Sequence, residues 1–218
     1  MQQAQKRVLA EIWERHNPDI PVKTPEQLVT LASIVEKETG KPDERSRVAA
    51  VFVNRLKQKM KLQSDPTIIY GLVGGKGTLG RPIKRSEIQQ PSPYNTYVVE
   101  GLPPGPIANP GRASLEAVAN PARTRDLFFV ADGTGGHSFT ETYEQHQKNV
   151  ARLRTMEKQI QNDTAEPADD PTPMVAPPPA AADTDATGDA PAAKPAPRKR
   201  SRPARQGAAE PSPHVIRQ

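Results

Sequence analysis

Cysteine is absent from all 218 residues. That excludes disulfides, thiolate metal sites and a cysteine nucleophile. No apolar run approaches the roughly 20 residues needed to span a bilayer. Residues 1–16, MQQAQKRVLAEIWERH, are charged throughout and hold no apolar signal-peptide core. His16, His137, His146 and His214 lack zinc-type spacing, so no metal is expected. A G-x-S-x-G elbow is missing too. Gly74-Gly75-Lys76-Gly77-Thr78 imitates a phosphate loop, but Gly follows the Lys where Ser or Thr is required. None of these patterns calls for a cofactor.

Apolar residues make up only 34% of the chain, and there are 25 prolines. That average conceals two regions. Up to about Gln161 the sequence carries apolar periodicity over a length sufficient for a sizeable core. From Asp163 onward it is rich in Pro and Ala, acidic as far as Asp189 and basic in the later run PAPRKRSRPARQ. Such a composition cannot bury enough apolar surface to offset chain entropy, so this tail is expected to be disordered. The formal charge of +5 suits any polyanionic partner. Nucleic acid is not expected, because the tail has no aromatics to stack on bases and its acidic half offsets its basic half.

Val8, Leu9, Ile12 and Trp13 predict a short helix with one apolar face. Thr24-Pro25-Glu26-Gln27 reads as a helix start, with Thr24 as cap, Pro25 in the first position and Gln27 closing a capping box. Leu28, Leu31, Ala32 and Val35 follow at helical spacing, and Gly40 and Pro42 end the helix. A second helix is predicted from about Asp43 to Lys59, with Val48, Val51, Phe52 and Leu56 inward. Asp65-Pro66 opens a third. Between Gly71 and Gly111 the chain is rich in Gly and Pro, with a strand expected at Tyr97-Val98-Val99. A brief helix at Ala113 to Ala119 comes next. Leu127 to Val130 reads as a strand that returns, through Asp132-Gly133 and Gly135-Gly136, along His137-Ser138-Phe139. Thr140 or Thr142 caps a long polar helix reaching about Gln159. The expected fold is α+β: a helix-dominated domain with a small β-hairpin at residues 24–160, an N-terminal helix within 1–23, and a disordered tail at 161–218.

Three clusters could carry chemistry. Glu36 and Glu38 lie in the last turn of an apolar helix, where the negative end of the helix dipole and partial burial disfavour a charged carboxylate. A carboxyl that keeps its proton near neutral pH is what a general acid requires. The plainer alternative is that both are solvated flanks of a surface helix, and helical angles do not separate the two. The second cluster is Gln63-Ser64-Asp65-Pro66. Ser64 or Asp65 can cap the short helix, whereas Gln63 has no structural need to be Gln and can hydrogen-bond a sugar. The third is Tyr94-Asn95-Thr96-Tyr97 with the Pro-rich loop to Gly111, including Asn109. An aromatic face and an amide beside a stiff loop suit a sugar, and equally suit a packed loop.

Taken together, ASIVEKET, RVAAVFVNRL, LQSDPTIIYG, SPYNTY, GLPPGPIANPG, SLEAVANP and FFVADGTGGHSF resemble the endolytic murein transglycosylase family, over about Leu28 to Leu153. The resemblance implies a lyase that cuts peptidoglycan glycan strands between N-acetylmuramic acid and N-acetylglucosamine and leaves 1,6-anhydro ends. The family's essential glutamate matches Glu38, and Thr39 resembles the Ser or Thr that follows it. Gln63, Ser64, Tyr94, Asn95 and Asn109 are then the expected substrate-binding residues. The resemblance further implies cell-wall synthases as partners and the periplasmic face of the inner membrane as the place of action. Family members carry an N-terminal membrane anchor and a LysM-like subdomain, so residues 1–23 are expected to be the remnant of a longer region. A catalytically impaired glycan-binding fragment is the alternative, which measured strand cleavage would separate.

Overall fold

A computed structural model describes residues 2–163. The tail expected to be disordered lies outside the described residues, apart from its first three, which continue the last helix. The elements in chain order are α1 (Gln2–Glu14), α2 (Pro25–Glu38), α3 (Arg45–Lys57), α4 (Asp65–Val73), α5 (Arg85–Gln89), α6 (Arg112–Ala119), β1 (Phe128–Ala131), β2 (His137–Thr140) and α7 (Tyr143–Asp163). The α+β, helix-dominated expectation is borne out. Among the described residues, no helix is long and apolar enough to cross a membrane.

Helix α2 is the centre of the core. Thr24 Oγ1 accepts from the Gln27 N–H at 3.2 Å, as a cap should. The reciprocal bond differs from the expected box: the Gln27 amide oxygen accepts from Lys23 N, one residue before the cap. Leu28, Leu31, Ala32, Ile34 and Val35 are fully buried. They meet α3 through Val48, Ala49 and Phe52, α6 through Leu115 and Val118, and α1 through Ile12. Each large apolar side chain buried in this way contributes about 1.5–3 kcal/mol.

The helix does not stop on a left-handed glycine. Thr39 leaves it in an extended conformation, its N–H donating to the Val35 carbonyl. Gly40 is not among the positive-φ glycines. A second correction concerns Tyr97-Val98-Val99, which form no strand. Their β-favouring side chains have no neighbouring strand to pair with, and the N–H groups of Val98 and Val99 both turn back to the Asn95 carbonyl.

The only sheet among the described residues is the antiparallel pair β1–β2, with Phe128 opposite Thr140 and Ala131 opposite His137. Asp132 Oδ1 accepts from Thr134 N, Thr134 Oγ1 and Gly136 N and so ties the turn together. This hairpin docks on the loop that follows α2. The Glu44 carboxylate accepts from His137 N at 3.0 Å and pairs with His137 Nδ1 at 2.7 Å. Gly136 sits close against this loop: a Cβ would stand 2.7 Å from Glu44 Oε1 and 2.9 Å from Lys41 Nζ, and these side-chain ends would have to shift. Thr142, not Thr140, starts α7, with its Oγ1 accepting from Gln145 N.

Candidate active site

Glu38 closes α2 and is only 8% exposed. Ser64 Oγ donates to its Oε1 at 2.6 Å. The loop carrying Ser64 is shaped for this contact. Gln63 is left-handed, with φ of 53°, a conformation few non-glycine residues adopt. Its N–H donates to the Thr96 carbonyl at 3.1 Å, and Ser64 N donates to Thr96 Oγ1 at 2.9 Å. Thr67 Oγ1 then bridges Ser64 O at 2.6 Å and Thr96 Oγ1 at 2.9 Å. A buried seam of hydroxyls thus joins the start of α4 to the loop at Thr96 and presents Ser64 to Glu38.

Arg55 fixes the approach to that seam. It is buried on α3, and its Nε donates to the Leu127 carbonyl at 2.7 Å. Its Nη1 donates to Lys61 O, Leu62 O and Gln63 Oε1 at 3.2, 2.9 and 3.3 Å. The guanidinium also lies over the Phe128 ring. All these partners are neutral, and burial lowers the Arg55 pKa to about 10. Gln63 therefore does have a structural need for its amide, contrary to the sequence reading. Ser64 does hold the N-cap position of α4, but neither its side chain nor that of Asp65 makes the capping bond. The Ser64 hydroxyl goes to Glu38, and Asp65 Oδ1 accepts from the Tyr97 hydroxyl at 2.8 Å.

The two glutamates are separated by these surroundings. Burial, reinforced by the charge of Asp65, raises the Glu38 pKa to about 7, against the opposing pull of the Ser64 bond and the more distant Arg55 charge. Burial is thus the largest of these influences. Glu36 is pulled the other way. Ser114 Oγ donates to its Oε2 at 2.5 Å and Gly111 N at 3.1 Å, and these bonds hold it below the ordinary carboxylate value. Gly111 is the N-cap of α6 and has no side chain, so Glu36 acts as the cap from another helix.

The remaining residues read from sequence lie at different distances from this centre. Asn95 is 2% exposed, and its amide nitrogen donates to the carbonyls of Glu87, Ile88 and Gln90. Its amide oxygen accepts from Tyr97 N, so the whole side chain organises the loop. Tyr94 packs its ring on Tyr70, centroids 4.8 Å apart, and its hydroxyl lies against Gly105 of the Pro-rich loop. Asn109 is exposed on that loop. The structure therefore brings Ser64 to Glu38, turns the Gln63 amide to Arg55, ties Asn95 into its own loop, and leaves Tyr94 and Asn109 outside the hydrogen bonds around Glu38. Sequence reasoning missed Arg55, and it placed Asp65 and Tyr97 in separate clusters, as a cap and a loop aromatic, rather than as partners of each other. Arg55 left a signal, because it occupies an apolar-face position three residues after Phe52 and four after Val51. Among the described residues, no group of three His, Asp or Glu could hold a metal. A cavity of about 770 Å³ lies elsewhere, lined by His16, Asn54, Lys57 and Arg123 among others, and does not include Glu38.

The sequence profile of the YceG-like family matches residues 1–152, well over half of the chain. The chain belongs to the YceG-like family. Its similarity to proteins called endolytic murein transglycosylase bears out the family resemblance. It is 43% identical to that of Bacillus subtilis over 122 residues, 56% of this chain and 33% of the relative. It is 40% identical to that of Streptococcus pneumoniae over 134 residues, 59% of this chain and 24% of the relative. The chain thus spans a third or less of these relatives' length. A crystal structure of a YceG-like protein from Listeria monocytogenes shares 36% identity with this family member at a TM-score of 0.55, covering 66% of this chain and 44% of that one.

Proposed function

We propose that residues 24–160 form a lytic transglycosylase domain in which Glu38 is the catalytic acid. The observation that carries this reading is a buried carboxyl with its pKa raised to about 7 and one oxygen held by Ser64. Such a group still carries its proton in a large share of molecules near neutral pH and offers its other oxygen to a substrate. Glu38 donates its proton to the glycosidic oxygen between N-acetylmuramic acid and N-acetylglucosamine. As carboxylate it then accepts the proton of the muramyl C6 hydroxyl, whose oxygen bonds to the anomeric carbon as the glycosidic bond breaks. Water is not consumed, and the product carries a 1,6-anhydro end. An ordinary glycosidase needs two carboxylates at a set separation; here the sugar supplies its own nucleophile. Gln63 flanks the acid as a sugar contact, with Tyr94 and Asn109 on the neighbouring loops further out.

The relatives' name implies internal cuts in murein, and cuts in nascent strands would end their elongation beside cell-wall synthases, at the periplasmic face of the inner membrane. The composition of residues 164–218 assigns them no part in the chemistry, so a chain ending at Asp163 keeps its rate on isolated peptidoglycan. Digesting purified peptidoglycan and weighing the products tests the reaction. Fragments lighter by one water than hydrolytic ones, without a reducing end, are expected. Reducing-end muramic acid alone would make the protein a hydrolase. The second reading is a glycan-binding domain that does not cut, and intact strands that co-sediment with the protein would favour it.

A further inference from the structure

Asp65 opens α4 directly after the serine that donates to Glu38. An Asp in the first turn ordinarily serves the free N–H groups of its own helix. Here its Oδ1 instead accepts from the Tyr97 hydroxyl, 32 residues away, at 2.8 Å. Two charged groups face this pair, Glu38 from α2 and Arg55 from α3. Arg55 turns its donors to carbonyls and to Gln63, so its charge reaches Glu38 without a bond to it. Two carboxyls, one cation and a phenol thus share one largely buried seam.

Both acids are held to their protons by these surroundings. Burial raises the Asp65 pKa to about 6, against the Tyr97 hydrogen bond, and Glu38 stands at about 7. The two carboxyls titrate as a coupled pair, in which the charge of Asp65 opposes ionisation of Glu38. The Tyr97 hydroxyl stays protonated throughout, because burial and the two carboxylates raise its pKa.

We propose that Asp65, held by the Tyr97 hydroxyl, is a positioning residue for Glu38: the charge of one carboxylate keeps the other in its acid form at neutral pH. This role rests on the reading of Glu38 as proton donor, yet the coupling is measurable apart from cleavage. The glutamate carboxyls of the full chain are labelled with ¹³C, and the Glu38 resonance is identified by its loss in Glu38→Gln. Titrating wild type, Asp65→Asn and Tyr97→Phe then gives the Glu38 midpoint in each. In Asp65→Asn the midpoint should fall by roughly half a pH unit or more. In Tyr97→Phe it should fall less, because Asp65 without its donor keeps its proton longer. The alkaline limb of the cleavage rate should follow both shifts. A Glu38 midpoint that stays put in both variants overturns the proposal, even if the rate drops evenly at every pH. A midpoint that moves while the alkaline limb does not supports the coupling and removes Glu38 from the donor role. Circular dichroism checks each fold, and Tyr97→Phe decides alone if Asp65→Asn does not fold.

Discussion

Glu36 and Glu38 stand two residues apart on the last turn of α2, and the two sides of that turn could hardly differ more. On one side the start of α6 offers a backbone N–H and a serine hydroxyl, with the edge of the molecule open to water. On the other, α4 and the loop at Thr96 close over the carboxyl and offer a single hydroxyl. The first setting welcomes a charge and the second rejects it. The same residue type becomes a fixed anion or a held proton according to which tertiary neighbour covers it.

The largest expected effect breaks the comparison if it fails. Glu38→Gln keeps shape and hydrogen bonding but cannot exchange a proton. Anhydro-product formation should fall by about 10² to 10⁴ or more, whereas Glu36→Gln should keep most of its rate. A dead Glu36→Gln beside an active Glu38→Gln would reverse the assignment. The next effect is on stability. Because the Glu38 pKa is raised from 4.5 to about 7, the folded state keeps a proton that the unfolded chain releases. Its favourable share is complete below pH 4.5 and is lost as pH rises through about 7. Glu38→Gln should therefore be more stable than wild type at pH 8, by about 2–3 kcal/mol, and the gap should close toward pH 4. Urea unfolding at the two pH values measures it, and a constant gap would contradict a buried, protonated acid.

Ser64→Ala sharpens the contrast. It removes the bond that favours the ionised form of Glu38, so the alkaline limb of the rate should move to higher pH, opposite to Asp65→Asn. The loss of an oriented hydrogen bond should also lower the rate roughly tenfold. A limb that moves to lower pH would refute this role for Ser64. The smallest effect belongs to the other side. Glu36→Gln should lower stability by roughly 0.5–1 kcal/mol at pH 7 by weakening the cap of α6 in a solvent-screened setting. Glu36 has a depressed pKa, so this share is present above the ordinary carboxylate value and lost as the pH falls through the folded one. Denaturant midpoints at pH 7 and pH 3 check it.

Local signals made much of this fold legible. Thr24-Pro25, the apolar spacing of α2 and α3, and the glycine pairs of the hairpin each dictate structure within a few residues. The family motifs singled out Glu38, although the apolar face of α2 left both glutamates on its borders. What stayed hidden depends on partners far along the chain. Asp65 looks like a cap until Tyr97 arrives to claim it. Tyr97-Val98-Val99 has strand-forming side chains and lacks a strand to join. Arg55 interrupted an apolar face, but only the fold shows that its donors organise residues 61–63.

The hairpin contributes no side chain to Glu38, yet it is fastened to the frame of the site at both ends. At its base Leu127 receives Arg55, and at its tip Gly136 and His137 settle onto Glu44. Anyone trimming this chain for expression should therefore cut no earlier than Thr140. A boundary drawn after α6, where the helical part seems complete, would discard a brace and leave Arg55 and Glu44 without their anchors. The amide of His137, bonded to Glu44, should exchange slowly in the intact domain, and its protection would report whether a shortened version still holds its centre together.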